Sequence, residues 1–275
     1  MNPFDAFRYD GRHALVVGGA TGMGAAVTDL LLGAGATVSV MDRAEVDRTD
    51  VAFTKVDMSE RASIDAAVDG LSGDVDALFS CAGVADGTPG IERINFLGHR
   101  HMIGRLLERD LLPKGSAIGL ISSAAGFGWE QNLERLNVYL DIADFEEAAQ
   151  YARDNNMADY LWSKLAINAY VAREAFGLLQ RGVRINAILP GPTDTPLARA
   201  NADTWLTFAA DYREATGGEP STPMEQAYPL VFLCSRAASG ITGNILISDA
   251  GYFTSGMSGS FPPASGAVEF MRSVF

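Results

Sequence analysis

Gly18-Gly19-Ala20-Thr21-Gly22-Met23-Gly24, directly after the apolar run Ala14-Leu15-Val16-Val17, decides how the rest of the chain reads. Glycine lets a backbone turn sharply and approach a ligand closely, and the free N–H groups and dipole of a helix start favour negative charge. The segment therefore reads as a cradle for a pyrophosphate, with Gly18, Thr21, Gly22, Met23 and Gly24 as its lining. Ala25 to Leu32 continue as a helix, and Gly33-Ala34-Gly35 stops it. A second apolar run, Thr37-Val38-Ser39-Val40-Met41, ends in Asp42, about 20 residues beyond Gly22, where a carboxylate can accept hydrogen bonds from an adenosine ribose. Strand, glycine turn, helix and acid-terminated strand make a βαβ unit. The spacing, G-x-x-x-G-x-G, differs from the G-x-G-x-x-G fingerprint, and the loop taken alone is equally an ordinary tight turn.

Outward from this unit, strand-like and helix-like segments keep alternating. Val51 to Val56, Ala77 to Cys81, Ala117 to Ile121, Arg184 to Leu189 and Ile245 to Ser248 read as strands. Glu60 to Leu71, Ile91 to Leu112, a long stretch ending near Gln180 and the region from Pro196 to Arg236 read as helices. The pattern predicts one Rossmann-type α/β domain over residues 1–275, a doubly wound parallel sheet in a three-layer α/β/α arrangement. Two segments interrupt the alternation: an acidic insertion, 126–158, and a segment at 197–222 carrying Trp205, Phe208 and Tyr212. Both leave strands at the ligand-binding edge and are candidate substrate walls, although Glu130 to Gln150 reads better as surface or subunit-contact helix. The tail, 256–275, with Gly, Ser and Pro262-Pro263, reads as irregular.

A chain of 275 residues with 48% hydrophobic content and 29 glycines can bury a large sheet. Its net charge of −13, from 34 acidic against 21 basic residues, argues against nucleic acid or an anionic membrane as partner. Cys81 and Cys234 lie far apart without a C-x-x-C pair, so neither a disulfide nor a metal site is expected. Asp5, Arg8 and Asp10 near the start do not resemble a secretion signal, and a cytoplasmic location is expected.

Tyr160-Leu161-Trp162-Ser163-Lys164 sets a phenol and an ammonium at i and i+4, on one helix face. Tyrosine titrates near 10, too high for a base at neutral pH, and a neighbouring cation such as Lys164 favours the phenolate. Ser122-Ser123 end a strand at the carboxyl edge, where a hydroxyl can hold a substrate oxygen.

Taken in order, these motifs resemble the short-chain dehydrogenase/reductase family from His13 to about Gly251. They are Gly18-x-x-x-Gly22-x-Gly24, Asp57-Met58, Cys81-Ala82-Gly83, Asn95, Ser123, Tyr160-x-x-x-Lys164 and Pro190-Gly191-Pro192-Thr193-Asp194-Thr195. The resemblance implies a catalytic tetrad of Asn95, Ser123, Tyr160 and Lys164. It places Asp57 and Met58 near an adenine, and Thr193 and Thr195 near a nicotinamide amide and phosphates. Cys81, Ala82, Gly83, Pro190 and Gly191 complete the cofactor walls. Val17 and Ser80-Cys81 depart from the usual threonine and Asn-Asn pair. The insertion is similar to the subgroup of 3α-hydroxysteroid dehydrogenase/carbonyl reductase and coniferyl-alcohol dehydrogenase, which implies a homodimer rather than a homotetramer.

The implied chemistry is hydride exchange between a nicotinamide and a secondary alcohol or ketone. Tyr160 acts as acid/base, Ser123 holds the substrate oxygen, Lys164 binds ribose hydroxyls and lowers the tyrosine pKa, and Asn95 holds a water. Asp42 would repel a 2′-phosphate, favouring NAD over NADP, although Arg43 could turn toward one. Alternatives are an enoyl reductase, whose Tyr and Lys are usually further apart, and a retired dehydrogenase serving as a nucleotide sensor or scaffold. Ala124 to Trp129, Trp162 and Leu197 to Tyr212 are expected to set specificity for an apolar steroid, terpenoid or aryl alcohol. His99 and His101 read as surface or buffering residues, and His13 as the opening of a strand.

Overall fold

The computed structural model describes residues 2–273. In chain order, β1 (His13–Val17), α1 (Gly22–Gly33), β2 (Thr37–Asp42), β3 (Ala52–Lys55), α2 (Arg61–Asp69) and β4 (Ala77–Ser80) form the first half. A π-helical turn (Arg93–Leu97) leads into α3 (Gly98–Glu108) and β5 (Ala117–Ile121). Then come α4 (Leu133–Asp141), α5 (Phe145–Asp154), α6 (Tyr160–Gln180) and β6 (Arg184–Pro190). The short helices α7 (Pro196–Arg199), α8 (Ala202–Trp205) and α9 (Ala210–Thr216) precede α10 (Pro223–Cys234), β7 (Ile245–Ser248), α11 (Tyr252–Ser258) and α12 (Ser265–Ser273).

The seven strands lie in the order β3-β2-β1-β4-β5-β6-β7, every neighbouring pair parallel. Residues on β4, β5 and β6 are buried throughout, as expected of strands covered on both faces. One core packs α2, α3 and α6 on one face through Leu15, Leu78, Ile118 and Ile185; the other packs α1 and α10 through Val16, Phe79 and Ile121. The chain runs from β1 outward to β3 and then crosses to β4 on β1's other side, so the winding reverses between β1 and β4. Their carboxyl ends are in register, Val17 opposite Ser80. Ligands bind at such a switch point because the loops leaving the two strands part there.

Arg184, buried on β6, closes the far end of α10. Its guanidinium donates to the carbonyls of Leu233 at 2.6 Å and Ser235 at 2.8 Å, acceptors a helix end leaves free.

Two expectations change, while Glu130 to Gln150 is surface helix as read. The long helical stretch before Gln180 is three helices, because Asp144 and Asp159 cap new starts: Asp144 accepts from Glu146 N and Glu147 N, and Asp159 from Trp162 N. The insertion helices α4 and α5 are amphipathic surface helices, burying Leu136, Tyr139, Phe145 and Ala149 in the core beneath them. The tail is helical where irregular chain was expected. α11 and α12 pack on one another around Phe253, Ala264 and Val268, contacts that outweigh the local Gly and Pro signals.

Candidate active site

Two cavities open at the carboxyl ends of the strands. The first, about 290 Å³, is lined by Gly18, Thr21, Gly22, Met23 and Gly24, by Asp42 and Arg43, by Asp57 and Met58, and by Cys81, Ala82 and Gly83. Its floor is close backbone. Gly18 has φ +84, and a Cβ there would stand 2.4 Å from Ala82 N; a Cβ on Gly24 would stand 1.9 Å from the Gly18 carbonyl. Thr21, which precedes α1, makes no side-chain capping bond, so the first N–H groups of that helix are left for a ligand. Asp42 accepts from Ala20 N and Ala44 N, each at 2.9 Å, which fixes the carboxylate while leaving lone pairs for donors in the cavity. Asp57 is turned onto Ser59, accepting from its N–H and its hydroxyl, and this bonding holds its pKa below the usual range.

The second cavity, about 370 Å³, shares Met23, Cys81, Gly83, Thr195 and Leu197 with the first. Ser123, Tyr160 and Lys164 line it, with Pro190, Gly191 and Thr193 beside them. Tyr160 is the first residue of α6, and its N–H donates to Asp86 Oδ1 at 2.7 Å. One turn on, the Lys164 ammonium donates to the Ile121 carbonyl at 3.1 Å and lies 5.3 Å from the Tyr160 ring centroid. Ser122 and Ser123 part company. Ser122 is buried and donates to the Lys164 carbonyl at 3.2 Å, whereas Ser123 is half-buried beside the Tyr160 phenol, its Oγ accepting from Ala125 N at 3.2 Å.

Charge at this centre is governed by burial. Burial pushes the Tyr160 phenol up to about 12, against the Ser123 hydrogen bond that favours the phenolate, and Asp86 adds to the rise. Burial also pushes the Lys164 ammonium down to about 8. The expected lowering of Tyr160 by Lys164 is therefore not met in this structure, where desolvation wins and the ammonium is turned to Ile121.

Asn95 lines neither cavity. It is fully buried in the π-helical turn, a local widening that often marks functional positions. Its Oδ1 accepts from Val84 N at 2.8 Å, and its Nδ2 donates to Val84 O at 3.0 Å and Ser163 Oγ at 3.3 Å. Ser163 Oγ in turn donates to the Tyr160 carbonyl at 2.6 Å, so Asn95 ties the loop after β4 to the start of α6.

The outer wall of the second cavity is apolar. From the 197–222 segment it takes Leu197, Ala198, Trp205 and Phe208, with Thr204 the one polar residue among them, and the Trp205 ring lies 4.8 Å from that of Tyr160. Arg213 pins this wall by donating to Leu206 O and Phe208 O. Tyr212 instead donates to Ala250 O. No residue of 126–158 lines the cavity, in keeping with the surface reading of Glu130 to Gln150. Trp162, expected to set specificity, is buried in the core with Arg135 stacked 4.3 Å from its ring. Ala267, Phe270 and Met271 of α12 form a wall the sequence did not suggest, since its helical signal is weak beside the preceding Gly and Pro residues.

His99 also departs from expectation. It is buried, and its Nε2 lies 2.9 Å from the Ala82 carbonyl. His101 pairs with Asp65 at 2.8 Å, and His13 opens β1. Among the described residues no cluster of His, Cys, Asp and Glu could hold a metal ion, and no helix is long and apolar enough to cross a membrane.

The family model described as short chain dehydrogenase matches residues 12–132, and a model described as enoyl-(acyl carrier protein) reductase matches residues 145–253. Cis-4-hydroxycyclohexanecarboxylate dehydrogenase of Sinomonas cyclohexanicum is 31% identical over 256 residues, covering 88% of this chain and 96% of that protein. This chain belongs to the short-chain dehydrogenase family. The dehydrogenase is also 28% identical over 248 residues to coniferyl-alcohol dehydrogenase of Pseudomonas sp. (strain HR199 / DSM 7063), covering 86% of this chain and 94% of that protein. Among solved structures, the 3-alpha-hydroxysteroid dehydrogenase from Pseudomonas sp. B-0831, complexed with NADH, superposes with a TM-score of 0.71 at 27% identity, covering 90% and 99% of the two chains. As a short-chain dehydrogenase the protein is an oxidoreductase that uses a nicotinamide cofactor, and the glycine floor and uncapped helix start of the first cavity fit such a group.

Proposed function

We propose that this dehydrogenase transfers hydride between NAD(H) and a secondary alcohol or ketone carried on an uncharged, apolar frame. The observation that carries the reading is the placement of Ser123, Tyr160 and Lys164 on one wall of an apolar cavity that opens into the glycine-lined one. The cofactor, held by the Gly18–Gly24 loop, Asp42, Thr193, Thr195 and Lys164, supplies hydride exchange and, when oxidised, a positive charge. Tyr160 Oη takes the proton of the alcohol oxygen during oxidation and returns it during reduction. Ser123 holds that oxygen in hydrogen-bond reach of Tyr160 and favours the phenolate, and Lys164, one turn below, would hold the cofactor's ribose hydroxyls. Asn95 acts by clamping the Val84 loop beside these groups, since its amide nitrogen and oxygen are bonded to Val84 and Ser163.

Two observations support the finer assignments. Asp42 stands where a 2′-phosphate would meet a carboxylate, which favours NAD, as does the NADH bound to the related hydroxysteroid dehydrogenase. Lys164, which the cofactor's ribose would engage, is the one charged side chain lining the second cavity among the described residues, so a substrate carboxylate, such as the one in the name of the Sinomonas relative's substrate, would have no further cation to pair with. Neutral ring alcohols of steroid, terpenoid or aryl type remain.

The test is NADH formation from NAD with a panel of such alcohols, the native protein beside Tyr160→Phe. The variant should lose roughly 10²- to 10⁴-fold in kcat while its NADH affinity stays within about twofold, as expected of a side chain whose work is at the reacting oxygen. Full turnover by Tyr160→Phe, or tighter binding of NADPH than NADH, would overturn the corresponding part.

A further inference from the structure

The π-helical turn and the first residues of α3 touch the first cavity's wall in two places, at Met58 and along the loop from Ala82 to Val84. Asn95 brackets Val84 from both sides. Gly98 lets the helix run against the Met58 carbonyl, from which a Cβ would be 2.4 Å. His99 reaches Ala82 O at 2.9 Å. Met58, Ala82 and Val84 all line that cavity, and Cys81 and Gly83 line both. The loop from Cys81 to Val84 is thus the partition between the two cavities, and it also walls the catalytic ammonium, since a Cβ on Gly83 would lie 3.9 Å from Lys164 Nζ.

We propose that His99 is a positioning residue for the nicotinamide cofactor, its Nε2–H holding the Ala82 carbonyl and so setting the height of this partition. The proposal rests on the assignment of the first cavity to the cofactor. A carbonyl only accepts, so the ring nitrogen facing it carries the proton, and in a neutral imidazole Nδ1 is then bare. Burial holds the ring pKa down at about 4, which keeps it neutral near pH 7. Nδ1 is buried without a protein partner, a cost that leucine or methionine filling the same space would not carry. Packing alone therefore does not account for histidine here, whereas the donor at Nε2 does. Without it the Ala82 carbonyl loses its donor, and Ala82 N, against which Gly18 is packed, loses a fixed neighbour.

The experiment compares NADH affinity, by fluorescence titration without substrate, for the native protein, His99→Leu and His99→Gln, each first checked for native circular dichroism. Glutamine carries an Nε2–H donor on a side chain of similar reach. Loss of one buried hydrogen bond predicts about tenfold weaker NADH binding in the leucine variant, and the glutamine variant should return to within about threefold of native. A folded leucine variant that binds NADH as the native protein does would overturn the proposal, as would a glutamine variant as weak as leucine. Should leucine fail to fold, ring ¹⁵N signals of the native protein decide: the Nε2–H tautomer, unchanged from pH 5.5 to 8, is expected, and an Nδ1–H tautomer or a titration near 6.5 refutes it. Failure of the native protein to bind NADH or NADPH at all would instead sink the cofactor assignment.

Discussion

Lys164 shows how a single buried side chain can be kept against stability. Its ammonium is almost fully buried with one hydrogen bond, to Ile121 O, and its pKa falls from 10.5 to about 8. The unfolded chain keeps that proton up to about 10.5, so between pH 8 and 10.5 the unfolded state binds more protons and stability rises with pH. Below pH 8 the full cost of holding the buried ammonium applies, on the order of 3 kcal/mol. Lys164→Met should therefore be more stable than native at pH 7 by a few kcal/mol or less. That advantage should shrink as urea unfolding is repeated from pH 8 to 10.5, and turnover should be lost throughout. A constant difference across the window would show that the lysine is not desolvated. Tyr160 and Lys164 were legible in the sequence because i, i+4 spacing on a helix fixes a shared face. His99 was not, because whether a histidine on α3 faces water or Ala82 depends on a loop 17 residues away.

Among the elements, α12 bears most on the second cavity, the one proposed for the substrate. It closes the second cavity with Ala267, Phe270 and Met271 while resting on α11 and on the loop at Gly128. Gly128 has φ +81, and a Cβ there would stand 2.5 Å from the Met271 carbonyl, so alanine is both strained and in collision with backbone. Gly128→Ala should displace α12 from the cavity, raising KM for bulky apolar alcohols several-fold and leaving NADH affinity unchanged. Unchanged KM across an alcohol series would mean that α12 does not wall the substrate. The helix was not legible beforehand: Gly, Ser and Pro residues between 256 and 266 are turn signals. Only the burial of Phe253, Ala264 and Val268 against one another gives the segment a reason to fold. The breaks before α5 and α6 were missed as well, although Asp144 and Asp159, whose capping role is local, carry a sequence signal for them.

At the scale of the whole molecule the sheet and its helix layers set each other's spacing. Gly119, central on β5, is where α10 comes closest; a Cβ would meet Cys234 Sγ at 2.7 Å and Leu230 Cδ1 at 2.9 Å. Gly119→Ala should cost about 1–3 kcal/mol through overpacking, reduced by the roughly 0.4–1 kcal/mol that alanine gains in the unfolded chain. Urea unfolding should show an earlier midpoint with an unchanged slope, and NADH affinity should hold, since β5 at Gly119 lies away from the carboxyl edge. An unchanged midpoint would mean that the layers yield without cost.

The sequence by itself determined the succession of strands, the glycine cradle with its acid at Asp42, and the Tyr160–Lys164 pair. Each of these depends on residues near one another in the chain, where turn geometry, helical spacing and apolar alternation act directly. Tertiary structure alone decided that Asn95 and His99 reach the backbone of Val84 and Ala82, that Trp162 belongs to the core and Trp205 to the cavity, and that the tail is a wall. It also decided that Tyr160 stands raised instead of lowered. Those outcomes turn on burial and on partners distant in the chain, and desolvation exists only once the layers have closed around a group.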